Sequence, residues 1–124
     1  MESEQIVERY FAVWNEGDAA RRRELIAATW TEDASYGDPL MRGDGHEGID
    51  TMVAGVHGQF PGFRFRRSGE VDAFADRVRF GWELGPADGP AVAGGVDFGE
   101  LAGDRLRAVT GFLEFAPEEG TGPT

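Results

Sequence analysis

Arg77-Val78-Arg79-Phe80-Gly81-Trp82-Glu83-Leu84 alternates at every step. Val78, Phe80, Trp82 and Leu84 fall on one side, and Arg77, Arg79, Gly81 and Glu83 on the other. A period of two marks a strand that buries one face. Immediately downstream, Gly85-Pro86-Ala87-Asp88-Gly89-Pro90 is a cluster of turn formers. Two long extended runs follow, 91–101 and 105–115, joined by a tight Gly103-Asp104 turn. Upstream, 63–66 alternates and 71–75 reads as a short strand of its own. Glycines at Gly81, Gly94, Gly95, Gly99 and Gly111 permit bends and close approach between strands. The second half of the chain is therefore expected to be a bent antiparallel sheet.

The first half has the other period. Across 3–16, Ile6, Val7, Tyr10, Phe11, Val13 and Trp14 form a broad stripe at helical spacing, with Ser3 as the expected N-cap. Gly17 stops this helix and Asp18 caps a second over 19–29, with Leu25, Ile26 and Trp30 inward. The run Arg21-Arg22-Arg23 reads as a solvated face. Residues 31–44 are polar and rich in Gly and Asp, so they read mostly as loop, with a short extended piece at Ala34-Ser35-Tyr36. Asp44 and Glu47 have capping-box spacing before a third helix, whose apolar side is Ile49, Met52, Val53 and Val56. That helix is expected to end near Gly58, with a turn at Pro61-Gly62. Three helices and then a long sheet make an α+β domain over 1–116, with a flexible Pro/Gly/Glu tail at 117–124. A bent sheet with helices on its concave side encloses a pocket, and Trp14, Trp30, Met52, Val56, Phe60, Trp82 and Phe112 are its expected lining.

Composition narrows the partners. The 124 residues carry a formal net charge of −11, which disfavours nucleic acid and anionic membrane surfaces. There is no cysteine, so disulfides and thiolate metal sites are excluded, and a cytoplasmic location is expected. No apolar run approaches the roughly 20 residues that span a bilayer. The acidic opening Met1-Glu2-Ser3-Glu4 lacks the basic and apolar regions of a signal peptide. His46 and His57 stand alone, without clustered carboxylates, so no metal is expected.

Three residues carry the chemistry. Asp97, in Gly94-Gly95-Val96-Asp97-Phe98, is a carboxylate in an otherwise apolar strand, costly to bury unless paired, hydrogen-bonded or neutral. Asp38 precedes Pro39, which disfavours helix there and leaves it on an extended or turn backbone. Tyr10 lies on the apolar stripe of the first helix. Each has an ordinary structural alternative: a solvent-facing or ion-paired strand aspartate, a turn residue and a core tyrosine. Arg79 is a candidate ion-pair partner for Glu83 or Asp97, which would hold Asp97 ionised.

The order of Tyr10-Phe11-Ala12-Val13-Trp14-Asn15-Glu16-Gly17-Asp18, Thr31-Glu32-Asp33-Ala34-Ser35-Tyr36-Gly37-Asp38-Pro39, Gly45-His46-Glu47-Gly48-Ile49 and the closing 104–112 hairpin resembles one superfamily. It includes nuclear transport factor 2, ketosteroid isomerase and polyketide cyclases of SnoaL type. The resemblance implies a cone-shaped α+β fold and a cofactor-independent enzyme that moves a proton beside a carbonyl of an apolar small molecule. By motif, Asp38 falls on the isomerase base, Tyr10 on its phenol donor and Asp97 on its protonated acid. In a cyclase Asp97 would instead be the main acid/base. The resemblance also implies a homodimer through the outer sheet face, for which Phe80, Trp82 and Phe112 are apolar candidates. A non-catalytic ligand-binding or dimerising module of the same fold is the alternative, because fold does not establish function.

Overall fold

The computed structural model describes residues 2–116. Helix α1 spans Ser3–Asn15, α2 Ala19–Thr29 and α3 Gly45–Gln59. Strands are β1 Trp30–Gly37, β2 Arg42–Asp44, β3 Phe63–Phe74, β4 Arg77–Pro86, β5 Ala93–Ala102 and β6 Arg105–Phe115. They form one six-stranded sheet in the order β2-β1-β6-β5-β4-β3. The tail expected at 117–124 lies outside the described residues.

The alternating segment at 77–84 is in an interior strand, between β5 and the edge strand β3, with Val78, Phe80, Trp82 and Leu84 all buried on the helix side. The helices cover that inner face, and the core fills the space between. Register shifts bend the sheet: Gly94 of β5 faces Phe115 and Gly95 faces Leu113, so Glu114 is an extra residue on β6. A Cβ on Gly95 would sit 1.9 Å from the Phe112 carbonyl oxygen, so only glycine permits the two strands to approach so closely there.

Several expectations are corrected. Residues 31–44 are not mostly loop: β1 pairs in parallel with β6, Tyr36 beside Val109, and β2 pairs antiparallel with β1. The sheet is therefore mixed. Polar Glu32 and Asp33 mask the strand because they point out, while Ala34 and Tyr36 point in. The runs at 63–66 and 71–75 are one strand, broken in register between Ser68 and Asp72, where Gly69 takes φ +81°. The N-cap of α1 is Glu2 rather than Ser3, because Gln5 Oε1 reaches back to accept from the Glu2 N–H at 3.0 Å. At α3, Asp44 is the N-cap but its side chain makes no capping bond.

The arginine run is corrected as well. Arg22 is only 4 % exposed. Its Nε donates to Asp50 Oδ1 at 2.6 Å and its Nη1 to the Glu16 carbonyl at 2.8 Å, tying α2 to α3 and to the end of α1. Helical residues turn by about 100° each, so three in a row cannot all face water on a packed helix.

Candidate active site

Alternation along β5 sets Ala93, Gly95, Asp97 and Gly99 on the inner face, where all four are buried. Asp97 stands between Phe80 on β4 and Gly111 on β6. Helix α1 lays Tyr10 over it, and the Tyr10 hydroxyl donates to Asp97 Oδ2 at 2.6 Å. Both residues are 2 % exposed. The Tyr10 ring is wedged among Phe11, Trp14, Trp30 and Phe80. The other carboxylate oxygen, Asp97 Oδ1, is buried with no hydrogen-bond partner.

Burial pushes the Asp97 carboxyl up to about 7, and the nearby charge of Asp38 adds to the rise against the hydrogen bond from Tyr10. Burial first, and then the Asp97 charge, hold the Tyr10 phenol well above its ordinary range, so it stays protonated. Arg79 takes no part. It sits on the outer face and pairs with Asp72 across the β3–β4 ladder, so neither expected pairing, with Glu83 or with Asp97, forms.

A second phenol–carboxylate pair lies beside the first. Tyr36, brought in by β1, donates from its hydroxyl to Asp38 Oδ2 at 2.6 Å. Asp38 Oδ1 accepts from the backbone N–H groups of Leu40 at 2.7 Å and Met41 at 2.9 Å, closing the turn after β1. The two pairs converge over Gly111. A Cβ there would lie 2.6 Å from Asp97 Oδ1, 3.0 Å from the Tyr36 hydroxyl and 3.5 Å from Asp38 Cβ. Yet Asp38 itself lines an open groove with Pro39, Thr110 and Phe112, while Tyr10 and Asp97 line the interior.

Two spaces adjoin the site, a small one among core residues and a large one open to solvent along α3 and β2. A small one of about 20 Å³ is bounded by Tyr10, Phe11, Trp14, Tyr36, Met41, Phe65, Trp82 and Asp97. A chamber of about 910 Å³ lies between α3 and the sheet, lined by Met52, Val56, Phe60, Leu84 and Leu113 among others, and its wall also includes Met41 and Phe65. Of the expected lining, Trp14 and Trp82 border the small cavity, and Met52, Val56 and Phe60 the chamber. Trp30 is fully buried behind Tyr10 and lines neither. Phe112 is half exposed on the outer face, edge-on to Phe98. Phe80 and Trp82, expected as outer-face candidates, are inner-face core. The expected lining omitted Phe11, Tyr36, Met41, Phe65, Leu84 and Leu113. The two-residue steps from Ala34 to Tyr36 and from Phe63 to Phe65 were signals for Tyr36 and Phe65, whereas Met41 sits in the turn after β1 and has no such signal.

Both histidines bond to backbone carbonyls, His46 Nε2 with Trp30 at 2.9 Å and His57 Nε2 with Trp14 at 2.7 Å. Among the described residues no group of three His, Cys, Asp or Glu is placed to hold a metal ion. No helix among them is long and apolar enough to cross a membrane.

Known proteins match this arrangement. A family model described as a SnoaL-like domain matches residues 7–109. A solved SnoaL-like protein from Agrobacterium tumefaciens, provisionally named an isomerase, is 42 % identical with a TM-score of 0.84, over 89 % of this chain and 95 % of its own. A Kribbella flavida protein provisionally named a ketosteroid isomerase is 23 % identical with a TM-score of 0.67, over 90 % of this chain and 77 % of its own. A Sinorhizobium meliloti protein provisionally named a polyketide cyclase is 15 % identical with a TM-score of 0.68, over 86 % and 93 %. The latter two likenesses establish the fold alone. No protein with curated annotation matches the chain. Three helices on a curved mixed sheet, open rather than closed into a barrel, make the ketosteroid isomerase-like nuclear transport factor 2 fold. With that fold and a family match running from α1 into the last strand, the chain belongs to the SnoaL-like family.

Proposed function

We propose that the protein is a cofactor-independent enzyme that transfers a proton next to a carbonyl of a mostly apolar small molecule, as an isomerase or an aldol-type cyclase. One observation carries the reading. Asp97 is a buried carboxyl with one oxygen held by Tyr10 and the other left unpartnered at a cavity. A carboxyl near 7 is poised to take and return a proton at neutral pH.

Ionised Asp97 takes the α-proton and leaves an enolate. In an isomerase the proton returns to a different carbon. In a cyclase the enolate carbon attacks a second carbonyl, and the proton on Asp97 passes to the new alkoxide. Tyr10 fixes the carboxyl through its hydroxyl. The isomerase version with Asp38 as base and Tyr10 and Asp97 as oxyanion donors has weaker support. Both Asp38 oxygens are already bonded within their own turn and to Tyr36. Asp97 is therefore the principal acid/base in this proposal, and Asp38 acts through its charge.

Deuterium wash-in followed by NMR at the α-carbons of apolar ketones tests the reading. A general base typically contributes about 10²–10⁴ in rate. Asp97→Asn is expected to lose that much, and Asp38→Asn markedly less. Exchange in Asp97→Asn at the wild-type rate would overturn the assignment.

The binding-module alternative has one observation in its favour: the Tyr10 proton is already committed to Asp97. It predicts ligand binding that survives both substitutions, with no exchange. A homodimer through the outer face and a cytoplasmic location are further parts of the proposal. The exposed Phe74, Phe98, Phe112 and Phe115 support the first, and the lack of cysteine fits the second.

A further inference from the structure

The small cavity beside Asp97 holds more unused polar atoms than one carboxylate oxygen. The indole Nε1 atoms of Trp14 and Trp82 are both buried and complete no hydrogen bond of good geometry, although Trp82 lies close enough to Asp97, and Trp14 to Tyr10, to act on their oxygens, and both residues border that cavity. Trp14 is 3 % exposed and Trp82 9 %. The two rings reach it from opposite layers, Trp14 from α1 and Trp82 from β4. A buried donor left unsatisfied costs about 1–3 kcal/mol, so two at one cavity call for an acceptor brought in from outside.

The space fits such an acceptor. About 20 Å³ accommodates one oxygen-sized group and little else. Beyond it lies the chamber of about 910 Å³, with mostly apolar residues such as Met52, Val56 and Phe60. Met41 and Phe65 border both spaces and form the throat between them. One wall of the throat is fixed. Asn15 brackets the Phe65 backbone, accepting from its N–H at 2.8 Å and donating to its carbonyl at 3.0 Å. The Phe65 ring lies against both Trp14 and Trp82. The other wall is the unbranched, adaptable side chain of Met41, on the turn that Asp38 closes.

We propose that the small cavity seats the carbonyl oxygen of the substrate, that the indole N–H groups of Trp14 and Trp82 are its hydrogen-bond donors, and that the Met41–Phe65 throat admits only a slim carbonyl end. The ligand class is a methyl ketone or similarly unbranched carbonyl terminus on a larger apolar body. This rests on the proton-transfer reading above and resolves a conflict within it. When Asp97 acts as base it carries no proton to donate, and the Tyr10 proton is already given to Asp97. The Tyr36 proton is likewise given to Asp38, so among the described residues lining the cavity the two indoles are the donors left for the charge that develops on the enolate oxygen.

The chain has three tryptophans, so ¹H–¹⁵N spectra show three indole signals, assignable from single Trp→Phe variants. Trp30 is the internal control, because its Nε1 is also buried and unpartnered but borders neither cavity. The probes are 4-phenylbutan-2-one, its hydrocarbon counterpart butylbenzene, and the matching ketone with tert-butyl in place of methyl. The methyl ketone is expected to move the Trp14 and Trp82 signals downfield and leave Trp30 in place. Butylbenzene should occupy the chamber without moving them, and the tert-butyl ketone should fail to reach them. Trp14→Phe and Trp82→Phe, which keep an aromatic ring, should each weaken binding of the methyl ketone about tenfold, the loss of one hydrogen bond, and leave butylbenzene nearly unaffected.

The proposal is overturned if the methyl ketone moves none of the indoles or all three alike, if both variants bind it as wild type does, or if it does not bind up to its solubility limit. Deuterium exchange read in the same samples separates this proposal from the one it rests on. Indole shifts without exchange would end the catalytic reading and keep the donor assignment. Exchange without indole shifts would do the reverse.

Discussion

At the scale of the residue, Asp97 decides both activity and a cost in stability. Its carboxyl moves from an ordinary 3.8 to about 7 on folding, chiefly through burial. Between those values the folded state holds a proton that the unfolded state has released. The associated stability is fully present below about 4 and is lost as pH rises through about 7. Three units correspond to roughly 4 kcal/mol at most. Asp97→Asn, which has no charge to bury, is thus expected to melt several degrees above wild type at pH 8, with the gap closing toward pH 4. Thermal scans across that range check it, and a gap that does not depend on pH would show that Asp97 is not strained by its charge. Activity should run the opposite way and rise as Asp97 ionises, with its midpoint near 7. Asp97 was legible in the sequence because a carboxylate among apolar strand residues is unusual. Its hydrogen bond to Tyr10 was not, since 87 residues separate the two.

At the scale of the element, one close fit shapes the site and another ties the helices together. Gly111 leaves room on β6 for Asp97 Oδ1 and the Tyr36 hydroxyl. In Gly111→Ala the new methyl would drive the carboxylate off its position, so a loss of about 1–3 kcal/mol is expected, together with a fall in proton exchange. Chemical denaturation and exchange measured side by side would test both parts. Wild-type exchange in this variant would show that the convergence over Gly111 is not needed for chemistry. On the helical side, Arg22 links α2 and α3 through Asp50. Removing one partner of a buried pair leaves the other uncompensated, so Arg22→Met should cost about 3 kcal/mol in urea unfolding. A loss below about 0.5 kcal/mol would make the pair an ordinary surface one. Helices α1 and α3 and strand β4 were legible because their apolar residues recur at the right period, and α2 through its Asp18 cap. Strand β1 was legible only at 34–36, because the rest carries outward, loop-like residues and its partner β6 lies some 70 residues away.

At the scale of the molecule, the sheet has one face under the helices and one carrying Phe74, Phe98, Phe112 and Phe115. Phe98 and Phe112 pack edge-on as a pair, about half exposed. A homodimer over this face would remove that apolar surface from water. Light scattering is expected to give twice the chain mass for wild type. The Phe98→Asp, Phe112→Asp double variant should give a single chain mass with unchanged far-ultraviolet dichroism. A monomeric wild type at high concentration would remove the dimer from the proposal. The expected interface of Phe80, Trp82 and Phe112 was one-third right in its facing, because alternation gives two faces without saying which is inward.

The sequence by itself determined the periods: three amphipathic or capped helices, long alternating strands, an acidic cysteine-free chain, and an aspartate out of place in an apolar run. Those signals are local, written within a turn or two of backbone. The tertiary structure alone decided which face of each strand is inward, that β1 joins the sheet in parallel, and that Arg22 is buried. It alone brought Tyr10, Trp14, Trp82 and Asp97 around one small cavity, with Asp38 and Tyr36 on its flank. The physical reason is that desolvation, pairing and cavity shape arise from residues far apart in the chain. A carboxyl acquires a pKa near 7 only when the whole fold removes water from around it.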